Sequence, residues 1–181
     1  MFSLILFVCA APFNTLNSRR MAETLSFSRD ADRRTLYDEI VPQIEALVAG
    51  ETDTIANLAN VAAVLKEAFE FFWVGFYLKK QDQLVLGPFQ GPLACTRINF
   101  DQGVCGRAFT TRQTVIVPNV DEFPGHIACS SAARSEIVIP VFVGPDEVFA
   151  VLDVDSDVPG DFSQVDAEGL GRVVRAIEST I

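Results

Sequence analysis

FFWVGFYLKKQDQLVLGPF, residues 71–89, is where the chain changes its hydrophobic period. Residues 71–80 are aromatic and rich in strand formers, Gln81-Asp82-Gln83 is a polar turn, and LVLGPF (84–89) reads as a second strand. Two strands joined by so short a turn form an antiparallel hairpin, and Pro88 ends the return strand.

Upstream of this hairpin the period is helical. Apolar residues recur at Leu36, Tyr37, Ile40, Val41, Ile44, Leu47 and Val48, with Gly50 as a stop. Pro42 falls inside this pattern and is expected to kink or divide the helix. A second helix is capped by Thr52 or Asp53 and turns Ile55, Leu58, Ala59, Ala62, Leu65 and Phe69 to one side.

Downstream, a third strand is expected over Ala94–Phe100. A short helix opens at Gly103-Val104-Cys105-Gly106 and runs through Phe109, and Thr114–Val117 forms a short strand. Residues 118–135 form a loop longer than the roughly 12–15 residues usual in compact domains, which marks it as a functional candidate. EIVIPVFV (136–143) and VFAVLDVDS (148–156) then pair across a turn at Gly144-Pro145-Asp146. A last helix starts at Ser163, with Asp166 placed as in a capping box and Leu170, Val173, Val174, Ile177 and Ile181 on one face. Helices at both ends of a mainly antiparallel sheet make an α+β domain.

A chain of 181 residues implies one domain with a core large enough to need no staples. Its apolar content of 49% and charged content of 21% are ordinary for a globular protein, so disorder is expected only at the termini. The net charge of −10 repels phosphate backbones and anionic lipids, against nucleic-acid and membrane-surface partners. Phe2–Phe13 is apolar but shorter than the roughly 20 residues of a membrane span, and it lacks the basic start of a signal peptide. Met21 offers an alternative start, so residues 1–29 are expected to be an N-terminal extension, either a targeting segment or poorly ordered, ahead of a domain at 30–181.

Three of the four cysteines, Cys95, Cys105 and Cys129, fall between residues 95 and 136, together with the single histidine, His126. Their spacing is long and unpaired, unlike the short ligand pairs of a zinc site, so no metal is expected. Buried inert thiols are the plainer alternative to a redox site. Two contexts favour reactivity. Cys105 opens a helix, where the dipole lowers a thiol pKa, and Cys129 sits in the long polar loop beside His126, where a second thiol can reach it by exchange. Glu136 opens the strand after that loop. Asp153 and Asp155 alternate along VLDVDS and so share one sheet face. Such acids suit a cationic amine or a proton-donating role, or simply a solvated strand end. Trp73 reads as a core residue on general grounds.

Six segments together carry a family resemblance: FFWVGFYL (71–78), LVLGPFQG (84–91), GPFQGPLACTRI (87–98), GVCGRA (103–108), FPGHIACSSAARSEIV (123–138) and VLDVDS (151–156). The chain from about Asp30 to the C-terminal helix resembles the free methionine-(R)-sulfoxide reductases, enzymes built on the GAF fold. The resemblance implies a GAF-like single domain that reduces free L-methionine (R)-sulfoxide to methionine. It implies Cys129 as the nucleophile that becomes a sulfenic acid, Cys95 as the resolving thiol that forms a disulfide with it, and Cys105 as an auxiliary thiol. Glu136, Asp153 and Asp155 match the acids that would hold the free amino group and assist protonation of the sulfoxide oxygen. Trp73 and Tyr77 match the aromatic side of the pocket. It further implies no cofactor, regeneration by a thioredoxin-type dithiol, a homodimer and a cytoplasmic enzyme, although the apolar N-terminus leaves a targeted form open. The competing expectation is a GAF-type small-molecule sensor or interaction domain that binds a ligand without turning it over.

Overall fold

The hairpin of residues 73–90 lies at the centre of a six-stranded sheet. The computed structural model describes residues 24–127 and 129–181. The hairpin strands are β1 (Trp73–Lys80) and β2 (Gln83–Gln90), followed by β3 (Arg97–Asn99), β4 (Val115–Val117), β5 (Ser135–Val143) and β6 (Glu147–Ser156). The order across the sheet is β3-β2-β1-β6-β5-β4, and every neighbouring pair is antiparallel. β6 therefore leaves its hairpin partner β5 on one side and meets β1 on the other, which closes the N-terminal and C-terminal halves of the chain into one sheet.

Alternation along the strands divides the sheet into two unlike faces. Val74, Phe76 and Leu78 of β1, Ile137, Ile139 and Val141 of β5, and Ala150, Leu152 and Val154 of β6 face three helices, α1 (Arg33–Val48), α2 (Thr54–Phe69) and α4 (Gln164–Glu178). Trp73, Tyr77, Val138 and Val151 face the opposite way, toward α3 (Gly103–Thr111) and the loops around it. The helix ends follow local chemistry. The carboxylates of Asp32 and Asp53 accept the free amides of Thr35 and Ala56 at the starts of α1 and α2. Ser163 and Asp166 form the capping box expected for α4.

α1 is not divided at Pro42. Proline removes a bond to the carbonyl four residues back, and both Asp38 and Pro42 are exposed, so that carbonyl faces water rather than core. Ile55 and Ala59 do not belong to the buried face of α2. Ile55 is 51% exposed, and Val61, Val64 and Ala68 complete the face instead. The third strand is shorter than expected, because the chain before Arg97 leaves the ladder. Of the expected N-terminal extension only residues 24–29 are described. There Leu25 and Phe27 pack on the helical core, and Ser26 and Ser28 bond Gln43 and Glu39 of α1. The candidate targeting stretch lies outside the described residues.

α1 is pinned to α4 by Arg33, whose guanidinium donates to Asp166 at 2.8 Å and Asp161 at 2.6 Å. Tyr37 Oη donates to the same Asp166 at 3.2 Å. Gly169 of α4 has no room for a Cβ, because the Tyr37 ring lies directly over it. The glycine that weakens the helix in isolation is what lets these two helices meet.

Candidate active site

β-sheet register brings the three predicted acids together. Asp155 of β6 is flanked by Trp73 of β1 and Glu136 of β5, and Asp153 by Gly75 and Val138. The three acids thus sit on adjoining strands of the α3 face. α3 packs across β5 and β6 above them and brings Cys105 down onto the acids. Gly106, one residue on, lies against the carbonyls of Asn99 and Phe100 so closely that a Cβ would stand 2.9 Å from each. That approach seats the start of α3 against the β3 turn.

Cys95 and Cys129 are joined by a disulfide, with Cα atoms 5.2 Å apart and a sequence separation of 34. Cys105 is free and buried. Beside the bridge is a cavity of about 30 Å³ lined by Cys105, His126, Cys129, Glu136, Asp153 and Asp155, with Ile98, Gly103, Val104, Ile127, Ser130 and Ala133 completing the wall. Cys129, Cys105 and the three acids therefore share one cavity.

Trp73 and Tyr77 do not line it. Both are buried, and they stack on each other with ring centres 6.0 Å apart. Their polar ends hold the segment that carries Cys95: Trp73 Nε1 donates to Pro92 O at 3.1 Å, and Tyr77 Oη donates to Cys95 O at 2.9 Å. Gly75 between them has no space for a Cβ, being covered by the Trp73 indole and Phe89. The wall residues Ile98, Ile127, Ser130 and Ala133 fall within the segments that carry the resemblance, but their residue types alone do not single them out.

The electrostatics of the site are set by burial without a counter-cation. Burial, with Asp153 and Asp155 beside it, raises the Glu136 carboxyl well above the usual range. Burial and then Asp153 raise Asp155. Asp153 is pushed up to about 6 by burial, against the lowering effect of hydrogen bonds from Cys105 and Glu136. The expectation that the start of α3 lowers the Cys105 pKa is overturned. Burial first, then Asp153 and Glu136, push that thiol well up, because full desolvation and adjacent carboxylates outweigh a helix dipole. His126 is likewise not an imidazolium partner for a thiolate. Burial lowers its pKa, against the raising effect of Asp121, and its Nε2 stands 3.7 Å from Oε2 of Glu136, a carboxyl that burial raises. Asp153 Oδ1 has no hydrogen-bond partner among the described residues. A buried pocket of three acids, one of them unsatisfied, is suited to a small organic cation and can also give up a proton.

The chain is similar to known proteins. The sequence profile of the GAF domain matches residues 48–181. The chain is 50% identical over 160 residues to GAF domain-containing protein A of Dictyostelium discoideum, covering 88% of this chain and 100% of that one. It is 43% identical over 151 residues to the free methionine-R-sulfoxide reductase of Escherichia coli, covering 83% and 91%. Among solved structures, the free methionine-R-sulfoxide reductase of Neisseria meningitidis in complex with its substrate superposes with a TM-score of 0.84 at 55% identity, covering 87% and 94% of the two chains. The chain belongs to the GAF-domain family, among relatives that are free methionine-R-sulfoxide reductases.

Proposed function

We propose that this protein reduces the R-sulfoxide of free methionine to methionine. The observation that carries this reading is the Cys95–Cys129 bridge set over a buried acidic cavity. A domain that only binds a small ligand needs no thiol pair beside its pocket.

In the reduced enzyme the Cys129 sulfur attacks the sulfoxide sulfur while the sulfoxide oxygen takes up a proton. Glu136, Asp153 and Asp155 supply that proton and hold the α-ammonium of the substrate, which a methionine within a peptide lacks. The oxygen passes to Cys129 as a sulfenic acid and methionine leaves. Cys95 then attacks the Cys129 sulfur, water departs, and the disulfide forms. Cys105, held protonated against Asp153, is an auxiliary thiol rather than the first attacker. Trp73 and Tyr77 act from behind the cavity by fixing the Pro92 and Cys95 carbonyls. A thioredoxin-type dithiol returns both cysteines to the reduced state by exchange, and no cofactor takes part. We further propose a homodimer and a cytoplasmic site of action. No helix among the described residues is long and apolar enough to cross a membrane.

The test is chemical. Incubated with dithiothreitol and racemic free methionine sulfoxide, the protein should consume one diastereomer, followed by chiral chromatography. Cys129→Ser should lower turnover by at least about a thousandfold, as loss of a nucleophile does. Consumption of neither diastereomer, or full activity in Cys129→Ser, would sink the reading.

A further inference from the structure

Behind the bridged thiols lies a donor set that the proposed reduction does not use as a unit. Cys105 Sγ, a Glu136 oxygen and an Asp153 oxygen lie within 4.8 Å of one another, and all three residues are buried. They come from three separate elements, α3, β5 and β6. Asp153 is 6% exposed, and its Oδ1 is without a partner among the described residues. A buried oxygen left unbonded keeps the full cost of its desolvation, so the site favours an arriving cation or donor. Asp155 and His126 line the same cavity.

Two features say which cation. With the Cys95–Cys129 bridge closed the cavity measures about 30 Å³. A water-sized species needs about 10–15 Å³, so an ion fits and an amino acid does not. The donor set also includes a thiol. An ammonium group gains little from sulfur, and Mg²⁺ or Ca²⁺ prefer oxygen alone, whereas zinc-class ions bind thiolate strongly. In tetrahedral geometry, zinc bonds of about 2.3 Å to sulfur and 2.0–2.2 Å to oxygen set a sulfur and an oxygen ligand roughly 3.6 Å apart. The three donors, all within 4.8 Å of one another, therefore need to draw together by up to about 1 Å.

We propose that Cys105, Glu136 and Asp153 form a binding site for a thiophilic divalent cation of the zinc class, and that the bound ion excludes the substrate ammonium. The second part rests on the reductase reading, and the first does not. As the metal–sulfur bond forms, the Cys105 proton leaves to solvent, and any proton held by the two carboxyls leaves with it. Nothing is oxidised or reduced. The fourth coordination position faces the cavity.

Cobalt(II) reports such a site directly, since a cobalt–thiolate bond absorbs in the near ultraviolet. In full-length protein carrying Cys9→Ser, with Cys95 and Cys129 bridged, Cys105 is the one remaining thiol. Cobalt titration should give a saturable band at one ion per chain, displaced by Zn²⁺ and not by Mg²⁺. Adding Cys105→Ser should remove the band. Asp153→Asn, which keeps the sulfur, should keep the band and weaken binding by more than roughly tenfold. Circular dichroism checks that both variants are folded. Absence of a saturable band, its survival in folded Cys105→Ser, or unchanged affinity in Asp153→Asn each overturns the site. In single turnover with desalted, reduced enzyme, Zn²⁺ should slow the reaction at low methionine sulfoxide, and saturating substrate should relieve it. Inhibition that saturating substrate leaves intact overturns the competition. A cobalt band in a protein that reduces no sulfoxide keeps the metal site and removes the reductase reading.

Discussion

The two faces of the central sheet are built from the same strands and solve opposite problems. On the helical side, alternate residues of β1, β5 and β6 are apolar and buried against α1, α2 and α4. On the α3 side, the intervening positions of the same strands carry Glu136, Asp153 and Asp155, with Cys105 pressed onto them. The first face gains free energy by removing apolar area from water, at about 25 cal/mol per Å². The second spends part of that gain on desolvated acids. A strand with period-2 alternation can do both at once, since neighbouring side chains never share a face. The helical side supplies stability that offsets the desolvated acids of the α3 side.

Breaking each face separately should give effects of opposite sign. The largest is expected on the helical side. Leu152 is fully buried and lies between Phe76 and Ile139 in the sheet register. Leu152→Ala should cost about 2–5 kcal/mol, read as a fall in urea midpoint at unchanged slope.

Next is Asp153→Asn on the α3 side, which should stabilise. The Asp153 carboxyl rises from 3.8 to about 6 on folding. Between those pH values the folded chain holds a proton that the unfolded chain has released, so stability falls as pH rises through the window. Glu136 and Asp155, also raised, act in the same sense. Above pH 6 the variant should gain on the order of 2–3 kcal/mol, vanishing near pH 4, while sulfoxide reduction falls. Equal pH slopes for the two proteins would deny that the acids are a burden.

Gly169→Ala tests a smaller clash on the helical side. Improved helix propensity predicts a gain of about 1 kcal/mol, but the Tyr37 ring occupies the space. Overpacking should leave a net loss of about 1–2 kcal/mol in thermal or chemical unfolding. A gain would mean that Tyr37 can move aside.

The smallest effect belongs to Tyr77→Phe, which removes the hydroxyl bonded to Cys95 O. Stability should drop by about 0.5–1.5 kcal/mol. In single turnover, disulfide formation should slow more than methionine release. If both steps are unchanged, Tyr77 is only a core residue.

Much of this architecture is legible in the chain itself. The helical periods at 36–48 and 55–69, the hairpin at 71–89, the second hairpin at 136–156 and the capping box at Ser163 all follow from local pattern, which short-range physics enforces. The errors fall where tertiary context overrides local preference. Pro42 stays inside one helix because its missing bond faces water. Ile55 is 51% exposed, because the helix turns Leu58, Val61, Ala62 and Leu65 to the core instead. The Cys105 thiol is raised, because burial against Asp153 outweighs the dipole of its helix. That Cys105, Glu136 and Asp153 come within 4.8 Å of one another is invisible to spacing along the chain, because they meet across α3, β5 and β6.

The sequence by itself determined which residues alternate, where helices start and stop, and that thiols and acids are concentrated near the chain's middle and end. Those are properties of neighbours in the chain. Only the tertiary structure decided that Cys95 reaches Cys129, that Asp155 stands beside Glu136 rather than in solvent, and that Trp73 and Tyr77 support the cavity from behind. Each of these depends on strand register and on what desolvates a group, and both are set by residues distant in sequence.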